Sequence, residues 1–292
     1  MNLKGTGVFY GVSAYVIWGL LPIYWRWLER ATSTEILSHR AIWSLIVCII
    51  FLAFQKQLRK TFRLIRDLKT FAFLALTSLL LSINWGIYIW SVSVNRVVEA
   101  ALGYYITPLV AVSFGVFVLR EKLRKPQLIS VVIAAIGVLI LTVAYGFIPL
   151  IALGLAVSWG TYSLMKKQLN AGALESLSIE TLVAFVPSFI YLSYLMKNNN
   201  SVFGNDIGFS LALAASGIAT VIPLLLFNAA TTRLPLTITG LLQYITPSIM
   251  FLIGIIIFHE PIKLTKLIGF IFIWLALIIL GRDLKRSGGP IN

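Results

Sequence analysis

Acidic residues, cysteine and histidine are scarce in this chain. Ten Asp and Glu stand against 24 Lys and Arg in 292 residues, cysteine occurs once and histidine twice. With Cys48 alone there is no intrachain disulfide, and the thiol is left to packing or lipid contact. His39 and His259 lie too far apart in sequence to form a closely spaced ligand pair, so no metal site is expected. There is no G-x-x-x-x-G-K-[ST], no H-E-x-x-H and no nucleophile elbow. No cofactor is implied and no enzymatic activity is expected.

Charge of either sign is also sparse. Charged residues make up 12% of the chain, apolar residues 59%, and the mean hydropathy is +0.93, whereas a soluble domain is about half apolar and a quarter charged. The partner of such a surface is a lipid bilayer. Apolar runs of about 20 residues, enough to cross roughly 30 Å of hydrocarbon, fall at 7–28, 35–54, 71–92, 97–118, 127–145, 147–165, 177–196, 209–229, 236–258 and 264–281. Runs of this length satisfy their backbone groups as helices, whereas barrel strands would alternate over about ten residues. The expected fold is an all-α membrane protein with ten transmembrane helices. The first run lacks a small-residue cleavage pattern and is read as a retained span.

The net charge of +14 does not mark a nucleic-acid binder, because the basic residues sit in short loops between the runs. With the amino terminus inside, seventeen Lys and Arg fall on the inner side and seven on the outer. That asymmetry places both termini in the cytoplasm, with 197–208 outside.

Compared with itself, the chain repeats. At an offset of 139, Tyr105, Ile106, Thr107, Pro108, Gly115 and Glu121 fall on Tyr244, Ile245, Thr246, Pro247, Gly254 and Glu260; an offset of 141 pairs Trp18-Gly19 with Trp159-Gly160. Two five-helix repeats, 1–145 and 147–285, follow. Because five is odd, the second is inverted, an arrangement typical of secondary transporters with a midplane site and alternating access. "YITP" begins about eight residues into its run in each copy, which puts the prolines near mid-depth at about 1.5 Å per residue. A proline there denies a hydrogen bond to the carbonyl one turn earlier, at Tyr104 and at Gln243. Each helix is therefore expected to be weakened or kinked, with a carbonyl and a tyrosine hydroxyl on offer to a substrate.

Polar residues within the runs supply the remaining candidates. Asn84 and Tyr88 share a helix face beside Trp85, a polar and aromatic surface suited to an amphipathic solute or a cation. Gln243 adjoins Tyr244 at mid-depth. Glu99, His39 and Arg40 lie toward the outer side, where Arg40 can pair with Glu99 or receive a carboxylate, and His39 can relay protons. Thr32 and Glu35 form a capping box that starts the second helix. Glu121 and Glu260 are read as partners in loop ion pairs.

The stretches "GVSAYVIWGLLPIYW" (11–25), "EILSHRAIWSL" (35–45), "NWGIYIWSVSVNRVVEAALGYYITPLV" (84–110) and "GLLQYITPSIMFLIGIIIFHE" (240–260) resemble the RarD branch of the EamA transporters, in the drug/metabolite transporter superfamily. The resemblance spans nearly the whole chain and includes the polar positions. It implies a ten-helix permease of a bacterial-type inner membrane, built of two five-helix units, that exports small metabolites or drugs; the RarD name is linked to chloramphenicol sensitivity. Carried over residue by residue, its motif positions are His39, Arg40, Asn84, Trp85, Tyr88, Glu99, Tyr105, Pro108, Gln243, Tyr244 and Pro247. Arg96 departs from the smaller or His-like residue expected there.

Together these readings predict a secondary transporter of a small organic solute such as an amphenicol or an amino-acid-like compound. Asn84, Trp85, Tyr88, Tyr105, Gln243 and Tyr244 would contact substrate, and His39, Arg40, Glu99, Pro108 and Pro247 would gate or couple. The small-molecule substrate is the expected partner beside the bilayer, and proton coupling and a homodimer stay open. A non-transporting receptor would be expected to carry an appended soluble domain and a channel continuous polar faces; loops here stay below about 17 residues and the polar groups are clustered.

Overall fold

The computed structural model describes residues 3–93, 96–143, 146, 148–169, 171–257 and 264–286. Glu260, His259 and Lys263 lie outside the described residues. The helices are α1 (Leu3–Trp27), α2 (Ser33–Phe54), α3 (Leu58–Arg66), α4 (Leu68–Ser93), α5 (Val97–Ser113), α6 (Lys125–Val143), α7 (Leu150–Gln168), α8 (Ala173–Lys197), α9 (Ile207–Thr231), α10 (Leu236–Leu242), α11 (Ile245–Ile256) and α12 (Leu264–Arg286). No strand occurs among the described residues. The fold is an all-α membrane protein.

Nine segments among the described residues are long and apolar enough to span a bilayer, with α10 and α11 counted together as Leu236–Ile256. The tenth expected span corresponds to α7. It has 19 residues, but Ser158, Thr161, Ser163, Lys166 and Lys167 dilute its apolar content. The loop expected between the second and third spans contains a helix of its own, α3.

The chain divides into two compact units, each drawing on both sequence halves. The first comprises residues 1–20, 84–168 and 229–292; the second comprises 21–83 and 169–228.

In the first unit α5 packs along α7 and α10, and α6 along α12. Small residues allow these close approaches, the usual basis of helix association where lipid removes the hydrophobic drive. A Cβ on Gly137 would come within 2.9 Å of the Gly269 carbonyl oxygen, so α6 and α12 meet almost backbone to backbone. At one end of this pair Asp283 accepts from Arg124 at 2.6 Å and from Gln127 at 3.1 Å.

In the second unit α2 packs along α8. The Thr32 half of the expected capping box forms, its hydroxyl accepting from the Glu35 N–H at 3.2 Å. The Glu35 carboxylate also accepts from the Ser201 hydroxyl at 2.6 Å and the Val202 N–H at 3.0 Å, which fastens the 198–206 loop to the start of α2. Cys48 is fully buried, so of its two expected roles it takes packing.

Candidate functional site

The two "YITP" copies both lie in the first unit and adopt different backbones. In the first copy α5 runs unbroken through Pro108 from Val97 to Ser113, and the irregularity comes afterwards as a wide π-type turn at Phe114–Val118. In the second copy the helix stops at Leu242 and restarts at Ile245, with Gln243 and Tyr244 between. Pro247 thereby sits in the first turn of α11, where its missing N–H costs little. The two copies thus differ: only the second is interrupted at the motif. The freed Gln243 carbonyl is not left open, because the Thr246 N–H donates to it at 3.1 Å.

Tyr15 of α1 bridges the interruption. Its hydroxyl donates to the Thr239 carbonyl at 2.9 Å, on the α10 side, and its own backbone carbonyl accepts from the Thr246 hydroxyl at 2.8 Å, on the α11 side. Both ring and hydroxyl are buried. At the 141 offset the residue matching Tyr15 is Ala156, and at the 139 offset the residue matching Thr239 is Ala100. The first copy therefore has no such clamp, and Thr107 turns its hydroxyl onto its own helix, donating to the Gly103 carbonyl at 2.7 Å. Tyr15 escaped the sequence reading because a tyrosine in an apolar run resembles packing. The signal was its place three residues before the repeated Trp-Gly pair, where the two halves differ.

Other contacts in this unit obey the repeat. The indoles of Trp18 and Trp159 meet edge to face at 5.5 Å. A Cβ on Gly19 would lie 2.7 Å from the Ile249 side chain, and a Cβ on Gly160 would lie 2.6 Å from that of Val110. Ile249 and Val110 each stand two residues after a motif proline. The same glycine thus admits α11 against α1 and α5 against α7.

The candidate substrate residues fall in several places. Asn84 donates through its amide to the Leu155 carbonyl and the Ser158 hydroxyl, both at 2.9 Å, which ties α4 to α7. Trp85 is half-buried. Tyr88, 38% exposed, meets Tyr104 edge to face at 6.4 Å. Tyr105 is half-buried against Phe270 at 5.4 Å. Gln243 and Tyr244 are buried at the interruption, and the Tyr244 hydroxyl has no hydrogen-bond partner among the described residues. A buried unpaired hydroxyl costs on the order of 1–3 kcal/mol.

The charged candidates are engaged locally. Glu99, fully buried, accepts from the Ile151 N–H at 2.8 Å, near the start of α7, and pairs with Arg96 at 2.6 Å. The departure at Arg96 is thus the partner of the candidate carboxylate. Glu121, expected to form a loop ion pair, instead accepts from the N–H groups of Leu236 at 2.6 Å and Thr237 at 2.9 Å and caps α10.

In the second unit Arg40 donates to Thr220 at 3.0 Å, and its guanidinium lies 4.9 Å over the Trp25 ring. An offset of 140, which aligns "EILS" at Glu35 with "ESLS" at Glu175, pairs Arg40 with Glu180, whose carboxylate accepts from Thr77 at 2.6 Å. His39 accepts from the Trp43 indole N–H at 3.3 Å and stacks on Phe203 at 4.7 Å.

Comparison with known proteins agrees with the duplicated, membrane-spanning arrangement. The EamA-like transporter family matches the chain twice, at residues 5–143 and 146–282. Protein RarD of Streptomyces exfoliatus is 43% identical over 98% of this chain and 91% of its own length. The uncharacterized transporter YojE of Bacillus subtilis is 42% identical over 94% of this chain and 92% of its own. A solved protein crystal structure matches with a TM-score of 0.75 at 17% identity, over 96% of this chain and 98% of that one, and shows the fold alone. With both halves matched and near-full-length relatives named RarD, the chain belongs to the EamA-like transporter family.

Proposed function

We propose that this chain is a secondary permease of a bacterial-type inner membrane, with both termini cytoplasmic, that moves a small amphipathic organic solute by alternating access. The observation that carries this reading is the interruption at Gln243–Tyr244, where a helix stops within a candidate span and two polar side chains are buried, one with a hydroxyl that has no partner among the described residues. Broken helices in the membrane are tolerated where they are buried in protein or line a cavity, and in transporters they mark substrate sites. The family and the repeat of residues 1–145 in 147–285 support the same reading.

In this scheme Gln243 and Tyr244 recognise the polar part of the solute, while Trp85, Tyr88 and Tyr105 supply aromatic surface. Asn84 holds α4 to α7 beside them. Pro108 and Pro247 set where the two related helices bend, and Glu99, His39 and Arg40 serve gating or coupling. Amphenicols and amino-acid-like solutes are the classes to try first, since both join a compact polar end to an apolar body.

The test is uptake and efflux by purified protein in proteoliposomes, across amphenicols, amino acids and related aromatics, with and without an imposed proton gradient. At least one class should be moved by the wild type, and Gln243→Ala should raise its KM at least tenfold. Flat signals for every compound, from protein shown to be inserted and folded, would overturn the reading. Acceleration by the gradient would assign proton coupling; equal rates would assign facilitated transport.

A further inference from the structure

Between the spans α2 and α4 the second unit carries α3, nine residues long and too short to cross a bilayer. Its neighbours fix its level: Phe54 ends one span and Leu68 begins the next, and both are largely exposed. With about 100° between successive residues, Thr61 lies on the buried side of α3 and Leu58 and Phe62 form a strip along one flank of that side, 46% and 58% exposed. Arg66, Arg59 and Arg63 continue the exposed arc beyond Phe62. The exposed surface of α3 is thus divided lengthwise into an apolar strip and a basic strip, the pattern of a helix that lies in the headgroup layer.

We propose that this arc is a docking surface for anionic phospholipid, with the guanidinium groups of Arg59, Arg63 and Arg66 on headgroup phosphates and Leu58 and Phe62 in the acyl boundary. Three observations favour that occupant. The stretch 55–69 holds six basic residues and one acidic one, Asp67. None of the three arginines is in an ion pair among the described residues, whereas the neighbouring Lys60 is paired with Glu175 at 2.6 Å. The Arg66 guanidinium lies 5.2 Å over the Phe62 ring, at the seam between the strips. A topology signal needs only basic residues on one side of the membrane; it does not require them in register along one face, next to exposed apolar side chains. Arginine's planar fork matches phosphate oxygens in pairs, which a lysine cannot do. The charge count places α3 at the cytoplasmic leaflet, where anionic lipid is expected.

The experiment uses the full chain in a neutral detergent, titrated with dioleoyl phosphatidylglycerol or dioleoyl phosphatidylcholine, with retained lipid counted by native mass spectrometry and the melting midpoint followed. Phosphatidylglycerol should be retained and should raise the midpoint, while phosphatidylcholine should do neither at the same concentration. The triple variant Arg59→Gln/Arg63→Gln/Arg66→Gln should weaken retention on the order of 100-fold, about fivefold per arginine. It leaves the Lys60–Glu175 pair intact. Should the triple variant fail to fold, single Arg63→Gln carries the test with its fivefold loss. Millimolar inorganic phosphate should not displace the lipid, because it cannot occupy the apolar strip. Equal retention of the two lipids, undiminished retention by the arginine variants, or full displacement by inorganic phosphate would each overturn the proposal. None of these outcomes depends on which solute is transported.

Discussion

The same four residues, Tyr-Ile-Thr-Pro, lie in a continuous helix at 105–108 and at a helix interruption at 244–247. In the first copy the proline leaves the Tyr104 carbonyl without its helical donor and sets its ring against the preceding turn, whereas in the first turn of α11 a proline costs little. What differs is the neighbour. Tyr15 supplies a donor to the Thr239 carbonyl and an acceptor to the Thr246 hydroxyl, so the bonds lost in breaking the second helix are replaced from another chain segment. Ala156 offers no side-chain group at the matching place, and the first helix retains its own ladder with Thr107 bonded to Gly103. A helix break is thus a property of the pair of helices and not of the motif.

Four predictions bear on this comparison, each read from thermal or denaturant unfolding in detergent. The largest effect is expected from Glu121→Ala, which strips two N–H groups at the start of α10 of their acceptor and should cost about 2–4 kcal/mol. Glu121→Gln should recover part of that, since its amide oxygen still accepts. Next come Gly19→Ala and Gly160→Ala, each placing a methyl within 2.7 Å of a β-branched side chain and each costing about 1–3 kcal/mol by overpacking. If the contacts are equivalent the two losses should match, and a difference above about 1 kcal/mol would show that the repeat does not extend to packing.

Tyr15→Phe and Thr246→Val each remove one bond across the interruption and should cost about 1 kcal/mol. Their double variant should cost less than the sum because both act on one clamp. Amide exchange of 236–256 should quicken in these variants while that of 125–143 does not; an unchanged rate in 236–256 would refute the clamp. The smallest effect belongs to Thr107→Val, whose hydroxyl serves only a carbonyl of its own helix, with a change of a few tenths of a kcal/mol. A loss as large as that of Thr246→Val would erase the proposed contrast.

Much of the architecture was legible beforehand because it rests on quantities that are local in sequence. The length and hydropathy of each run gave the helices within a few residues, and Thr32 capped α2, one half of the box that its spacing predicted. The internal match found Trp18 and Trp159, which the fold then brought into contact. The site was less legible. Asn84, chosen as a solute ligand, spends its amide on α7, and Glu99, offered to Arg40, is held by Arg96 and the start of α7. Polarity in an apolar run shows that a partner must exist, but several helices offer suitable groups and sequence spacing cannot choose among them.

The sequence by itself determined that the chain is built of membrane-spanning helices and that its second half repeats the first, because transfer from water to hydrocarbon depends on composition along each run and a shared Pro, Thr and Tyr at fixed spacing survive translation along the chain. Only the tertiary structure decided where the helix ladder breaks. The energy of that break turns on hydrogen bonds to a residue more than 220 positions away in the chain, and such a partner is fixed by packing.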